Sequence, residues 1–149
     1  MKLTIAADHR GFQAKERMKA FLSELGHEAT DFGTDSTKPC DYPDVAYPAV
    51  KAVAEGKAER AILFCGTGIG MSIAANKVRG VRAALCHDEV SADMARRHND
   101  ARVLCLPADL LSEKQMTKII RIFLETPFDG GRHLRRINKL TKIENGEDL

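Results

Sequence analysis

The chain has 149 residues, a formal net charge of +2 and 44% hydrophobic residues, and it lacks tryptophan. This length and apolar content predict one domain over residues 1–149 with a largely aliphatic core, and the small net charge gives no electrostatic reason to expect a nucleic-acid partner. No stretch approaches the roughly 18 apolar residues of a membrane helix, and Asp8 interrupts the first apolar run, so neither a membrane span nor a signal peptide is predicted. The four cysteines form no C-x-x-C pair, which predicts reduced thiols and a cytoplasmic location.

Short apolar runs alternate with longer helical patterns along the chain. The apolar runs predict strands at residues 3–7, 27–32, 61–65, 81–86 and 103–106. The helical patterns cover residues 12–25, 45–55, 89–97 and 112–124, with a short helix through 72–77 and a last helix over 132–143. Five strands alternating with helices predict an α/β fold, in which a parallel sheet is covered by helices on both faces.

Polar side chains that follow strands are the first candidates for a site, because ligands of such sheets gather at the carboxyl ends of the strands. These candidates are Asp8 and His9, the turn from Cys65 to Gly70, and His87 with Asp88.

A glycine-rich turn follows the third predicted strand, in the stretch CGTGIGMSIAANK that begins at Cys65. Its first two glycines match the dinucleotide fingerprint G-x-G-x-x-G, but Met71 stands where the third glycine belongs, and it also breaks the Walker A pattern. A nucleotide-binding module is therefore disfavoured. Closely spaced glycines before a helix still suit a phosphate, a carboxylate or an enediolate oxygen. The alternative is a tight turn that only packs a helix on the sheet.

Three further features could carry chemistry. Cys65 ends a strand just before a helix, where backbone donors favour a thiolate that could act as a base or a nucleophile. Asp8 and His9 form a possible acid–base pair, or else a helix cap beside a surface histidine. The cluster of His98, Asn99 and Asp100 precedes the fifth strand, and by itself it is better explained as a loop or helix cap.

Basic residues concentrate near the C-terminus. Arg132 and Arg136 lie four residues apart on a predicted helix, so they share a face that could clamp a phosphate, or they belong to a solvated basic face like Arg135, Lys139 and Lys142. No two of the five histidines have metal-ligand spacing on a helix, so no metal is predicted.

Several motifs occur together in one order: ADHRGF, DYP, CGTGIGMSIAANK, GVRAALCHD, HND and GGRH-x-x-R. In this combination the chain resembles the ribose-5-phosphate isomerase type B family, which includes galactose-6-phosphate isomerase subunits, from residue 3 to about residue 143. The resemblance implies a Rossmann-like three-layer α/β/α sandwich with a five-stranded parallel sheet and an additional C-terminal helix. It further implies a homodimer or homotetramer with the active site at a subunit interface. The implied activity is cofactor-independent isomerisation of an aldose and a ketose phosphate, foremost ribose 5-phosphate and ribulose 5-phosphate, through an enediolate.

The resemblance also implies roles for individual residues. Cys65 would be the base that moves the proton between C2 and C1, and the turn from Gly66 to Gly70 would hold the enediolate oxygen with help from Thr67. His98 would open the furanose ring, with Asp8 acting on the ring hydroxyls. The residues expected to bind the substrate are Asp8, His9, Tyr42, Gly66, Thr67, Gly68, Ile69, Gly70, Asn99, Arg132 and Arg136.

Two positions depart from the family pattern. Many members carry a phosphate-binding arginine where this chain has Asp109, and small apolar residues are common where it has Arg10. The hypothesis is that Arg10 replaces the missing positive charge. The departures leave open a 6-phosphohexose substrate (allose or galactose 6-phosphate). The resemblance also leaves open a non-catalytic sugar-phosphate-binding subunit, because some galactose-6-phosphate isomerase subunits are not active alone.

Overall fold

The computed structural model describes residues 1–149 and contains five strands and six helices. The strands are β1 (Lys2–Ala7), β2 (Glu28–Asp31), β3 (Arg60–Cys65), β4 (Ala83–Leu85) and β5 (Val103–Pro107). The helices are α1 (Phe12–Glu24), α2 (Tyr42–Ala54), α3 (Ile69–Asn76), α4 (Glu89–Asn99), α5 (Glu113–Glu125) and α6 (Arg132–Glu144). No helix has the length and apolar character needed to cross a membrane.

The five strands form one sheet in the order β2-β1-β3-β5-β4, and every neighbouring pair is parallel. The chain passes from β1 to β2 on one side of β1, and β3 lies on the other side. The crevice between the carboxyl ends of β1 and β3 is therefore the topological switch point, where ligands of such sheets bind. Asp8 follows β1 and Cys65 ends β3, so the sheet order places both residues at this crevice.

Alternation along the strands produces two apolar cores, one on each face of the sheet. On one face, Ile62 and Phe64 pack with buried side chains of α1, α4 and α5. On the other face, Leu63 and Cys65 pack with buried side chains of α2 and α3. The three layers confirm the predicted α/β/α sandwich, and they place the Cys65 side chain on the α2–α3 face.

The added C-terminal helix, α6, packs against α4 through its buried residues His133 and Ile137, which lie four apart on one face. Its far end is tied to the segment before β4, because the Glu144 carboxylate accepts a hydrogen bond from the Gly80 N–H (2.8 Å).

Three helix boundaries differ from the sequence prediction. Helix α2 begins at Tyr42 rather than residue 45, because Pro43 stands in its first turn, where a missing N–H costs nothing. Helix α3 begins at Ile69, inside the glycine turn, and α4 continues through His98 to Asn99. Strand β4 is shorter than predicted and covers only Ala83–Leu85 at the edge of the sheet.

Candidate active site

The Cys65–Gly70 turn joins the end of β3 to the start of α3. The Cys65 side chain is buried, and its Sγ accepts a hydrogen bond from the Gly68 N–H at 3.1 Å. A backbone N–H aimed at the sulfur, together with the amino end of a helix, is an arrangement that stabilises negative charge there. Thr67 is exposed, and its hydroxyl oxygen accepts the Ile69 N–H at 3.4 Å. The turn thus carries a polar sulfur and a row of backbone donors in one short segment.

The ring of Tyr42, in the first turn of α2, lies directly against this turn. A methyl group at Gly70 would come within 2.9 Å of the Tyr42 ring, so only glycine allows this close approach. Met71 is fully buried in the core beneath α3. The position at which the nucleotide fingerprints require glycine therefore holds a core side chain, and this agrees with the failed motif match.

Asp8 and His9 stand on the loop that leaves β1. The buried Asp8 carboxylate accepts the backbone N–H groups of Arg10 (2.9 Å) and Gly11 (3.0 Å), so it organises the loop before α1. The helix-cap alternative for Asp8 is wrong, because the capping residue of α1 is Gly11 and no side chain caps this helix. The ring of His9 accepts the Cys40 N–H at Nδ1 (3.3 Å). In a neutral imidazole this leaves the proton on Nε2, which is then free to donate to a ligand.

His98 forms a second polar cluster with His133 and Asp129. The two imidazole rings are stacked, with centroids 4.1 Å apart and planes 7° from parallel. Burial lowers the pKa of His133 below its usual 6.5. The neighbouring His98 lowers this pKa further, as do the charges of Arg132 and Arg136, while Asp129 opposes them. The buried ring is therefore held neutral beneath two exposed guanidinium groups.

The potential ligand atoms of His98, Asp129 and His133 lie within 4.8 Å of one another, a grouping that helix spacing alone does not predict. Parallel rings, however, direct their nitrogens side by side rather than toward a common point. The Asp129 carboxylate is also paired with Arg97 (3.3 Å), and Arg132 stands close by. The cluster is consequently better suited to an anion than to a metal cation.

The cluster around Cys65 and the cluster around His98 lie at opposite edges of the sheet, one where the strands end and the other where they begin. Cys65 pairs with Pro107 at the carboxyl end of β5, whereas Ala61 pairs with Val103 at its amino end. Asn99, beside His98, is on the amino side, where its carbonyl oxygen accepts Arg82 Nε (2.7 Å) just before β4. Four residue steps of strand separate the two edges by about 13 Å. Within one chain, the structure gathers Asp8, His9, Tyr42 and the Cys65–Gly70 turn at one edge; at the other are His98, Asn99, Arg132 and Arg136.

Arg10 and Asp109 form an ion pair with each other. The guanidinium expected to supply a free positive charge for a phosphate is therefore neutralised in this structure by the carboxylate that departs from the family pattern. Sequence reasoning considered the two residues separately and missed the pairing, as it missed Asp129 and the stacking of His133. The order of the strands could have suggested the ion pair, because the loops after β1 and β5 flank the loop after β3.

Comparison with known proteins identifies the family to which the chain belongs. The family model described as Ribose/Galactose Isomerase matches residues 3–140. Ribose-5-phosphate isomerase B of Escherichia coli (strain K12) is 41% identical over 143 residues, covering 96% of both chains. D-erythrulose-4-phosphate isomerase of Pectobacterium atrosepticum is 40% identical over 149 residues, covering 99% of this chain and 97% of the relative. The solved structure of ribose-5-phosphate isomerase B from Clostridium thermocellum superimposes with a TM-score of 0.97 at 42% identity, covering 98% of this chain and 99% of the other.

The chain belongs to the ribose/galactose isomerase family. It is an enzyme of the sugar-phosphate aldose–ketose isomerase class.

Proposed function

We propose that the protein interconverts ribose 5-phosphate and ribulose 5-phosphate through an enediolate, with Cys65 as the base. The thiolate would remove the proton from C2 of the opened aldose and return it to C1, while the oxygen that gains negative charge is held by the backbone N–H groups of the turn. The reaction only relocates protons, so the proposal requires no metal or cofactor. The observation that carries it is the Cys65 sulfur, buried at a helix start and hydrogen-bonded by Gly68 N–H at 3.1 Å.

The remaining roles require a second copy of the chain. Ring opening by His98 and phosphate binding by Arg132 and Arg136 must occur near Cys65, yet one chain holds them at the opposite edge of the sheet. We therefore propose a homodimer, alone or within a tetramer, in which the partner's cluster completes each site. Exposed apolar side chains on α2, α3 and α6 support this proposal, since they offer a surface that a second copy could cover: Tyr47, Ile69, Ile73, Leu134, Leu140 and Ile143. The four free cysteines support a cytoplasmic location.

A tetrose 4-phosphate is a second candidate substrate. The Pectobacterium relative carries the name of a tetrose-phosphate isomerase, and the Arg10–Asp109 pair leaves no net positive charge where many family members place an arginine. Allose and galactose 6-phosphates complete the panel.

The decisive measurement is turnover of these four sugar phosphates by the purified protein and by Cys65→Ala. We expect the substitution to lower kcat by about 10³-fold on every substrate that is turned over, because it removes the base. Cys105→Ala serves as the control: this thiol is fully buried, and desolvation raises its pKa far above the usual value, so its loss should leave kcat within about twofold. Substantial turnover by Cys65→Ala would refute the assigned base.

A further inference from the structure

We propose that the Arg10–Asp109 ion pair, here called the bridge, is a positioning element that holds the Cys65–Gly70 turn in its working shape. This inference deepens the proposed function and rests on it. The bridge joins the loop after β1 to the loop after β5, and these strands are the two neighbours of β3 in the sheet. It therefore spans the end of β3, at the point where Cys65 passes into Gly66.

Both ends of the bridge are fixed by backbone hydrogen bonds. The Arg10 N–H donates to the buried Asp8 carboxylate (2.9 Å). The Asp109 N–H donates to the Gly66 carbonyl oxygen (3.1 Å), and the Ala108 N–H donates to the Cys65 carbonyl oxygen (2.8 Å). The ion pair thus connects the loop after β1, which Asp8 organises, to the loop after β5, which is hydrogen-bonded to the turn. Two exposed side chains can therefore influence the shape of the turn.

The bridge packs directly on Gly66. A methyl group at this position would come within 2.7 Å of Asp109 Oδ2 and 2.9 Å of Arg10 Nε, so the two charged groups lie against the glycine itself. The bridge therefore lies against the residue that directly follows Cys65, where the turn begins.

The charge of the bridge argues against a direct role in binding phosphate. The two side chains neutralise each other, and a phosphate that approached Arg10 would also meet the Asp109 carboxylate. A neutral brace instead fixes the backbone donors before the substrate arrives. Donors that are held in place stabilise the developing enediolate without reorganisation, so the expected effect falls on kcat rather than on KM.

The test compares steady-state kinetics of Arg10→Ala, Asp109→Ala, their double variant and Arg10→Lys. We expect each alanine variant to lower kcat by about 3- to 10-fold with KM within about twofold, because the interaction made in the transition state is weakened. The double variant should be no worse than the more severe single variant, since the two residues act as one unit. Arg10→Lys keeps the charge pair and should retain more than about half of kcat.

A matched control is the Arg17–Glu113 ion pair (3.3 Å), which is also exposed and links α1 to α5 without touching the turn. Alanine at both of these positions should leave kcat and KM unchanged. If Arg10 bound phosphate instead, Arg10→Ala would raise KM and Asp109→Ala would lower it, and this opposite pair of changes would overturn the inference. Unchanged kcat in both alanine variants would overturn it as well.

A second measurement does not depend on turnover. Hydrogen exchange at the backbone amides of residues 66–70 should be faster in Arg10→Ala and Asp109→Ala than in the wild type and the Arg17→Ala/Glu113→Ala control, because the turn loses its brace. Equal exchange in all four proteins would contradict the positioning role. A wild-type protein that turned over no sugar phosphate would refute the proposed function, while the exchange rates would still decide whether the bridge holds the turn.

Discussion

Gly68 is the residue at which the chain changes direction between β3 and α3. It has a φ of 75° and caps the amino end of the helix, and a side chain here would meet the Leu85 side chain and come within 3.2 Å of the Leu106 carbonyl carbon. Two separate demands therefore require glycine: a left-handed backbone and a lack of space. Glycine at this position allows the backbone conformation in which the Gly68 N–H donates to the Cys65 sulfur.

A comparison of Gly68→Ala with Gly80→Ala separates the effect of the left-handed backbone from the effect of the lack of space. Gly80 has the same φ of 75°, but a methyl group added there would meet nothing within 4 Å, so its substitution adds backbone strain alone. We expect Gly80→Ala to lower the free energy of unfolding by about 1 kcal/mol and Gly68→Ala by about 3 kcal/mol, because the second also forces packed atoms apart. Urea denaturation measures both values. Equal losses in the free energy of unfolding would show that the contacts with Leu85 and Leu106 do not contribute to the effect of Gly68→Ala.

Individual residues of the candidate site were largely predictable, because a strand followed by closely spaced glycines and a helix marks a site by local pattern. Asp8, Cys65 and the turn could be found this way, and the structure brings them to one crevice. The Arg10–Asp109 pair could not, since it joins residues 99 positions apart whose side chains meet only when β1, β3 and β5 are side by side. The roles of the site residues remain predictions.

At the scale of elements, α6 is the helix that carries the exposed Arg132 and Arg136, and it docks on α4 through the neighbouring buried residues. His133 is central to that docking, because its buried ring stacks on His98. The same contact thus fixes the two guanidinium groups relative to His98. A protonated His133 would place a charge in this buried position, next to two arginines.

The lowered pKa of His133 predicts an acid-sensitive helix contact. A lowered pKa in the folded state means that the unfolded chain binds the proton more readily, so folded stability is lost as the pH falls through the unfolded value of 6.5. His133→Phe keeps a stacked ring without a titrating nitrogen. The drop in free energy of unfolding between about pH 7.5 and about pH 5.5 should therefore be smaller in this variant than in the wild type.

His27 provides the comparison for this measurement. Its pKa is also lowered, first by burial and then by the N-terminal ammonium group. Protonation of His27 therefore also lowers the free energy of unfolding as the pH falls, at a position distant from His133. His27→Gln should remove a separate share of the pH dependence, and the two shares should add. An unchanged pH dependence in His133→Phe would refute the argument for that residue.

The elements themselves were mostly predictable, because apolar periodicity is strong in buried strands and amphipathic helices. The errors lie where local signals compete. The helical pattern predicts α2 only from residue 45, although Pro43 also suits a first helical turn. The glycines around Ile69 likewise obscure the start of α3 in the sequence. At β4, the apolar run is longer than the strand, because an edge strand has only one neighbour to pair with.

For the whole molecule, the main consequence of the fold is that one chain holds the two groups of residues proposed to form its site, here called halves, at opposite edges of the sheet. The chain order already contained this information, because Cys65 ends a strand whereas His98 precedes one. Local patterns could not show how far apart the halves lie, and no pattern specifies a surface that would bring two chains together. A symmetric dimer would pair the halves twice, so each active site would draw on both subunits.

Complementation between inactive variants tests this arrangement. Cys65→Ala keeps the His98 half, and His98→Ala keeps the Cys65 half, so a mixed dimer has one complete site. Random association of co-expressed subunits should restore about a quarter of wild-type activity, since half of the dimers are mixed and each has one of two sites intact. Each variant expressed alone is the control and should be inactive. No recovery in confirmed mixed dimers would show that both halves act within one subunit.

The strand order also constrains how a growing chain can fold during synthesis. Strand β4 is made before β5, yet its only neighbour in the sheet is β5. A nascent chain that ends before residue 103 can pair β2, β1 and β3, but β4 has no partner and the outer edge of β3 stays open, and open edges are prone to aggregate. The end of β3, where Cys65 lies, is enclosed on both sides only after the ribosome has delivered β5.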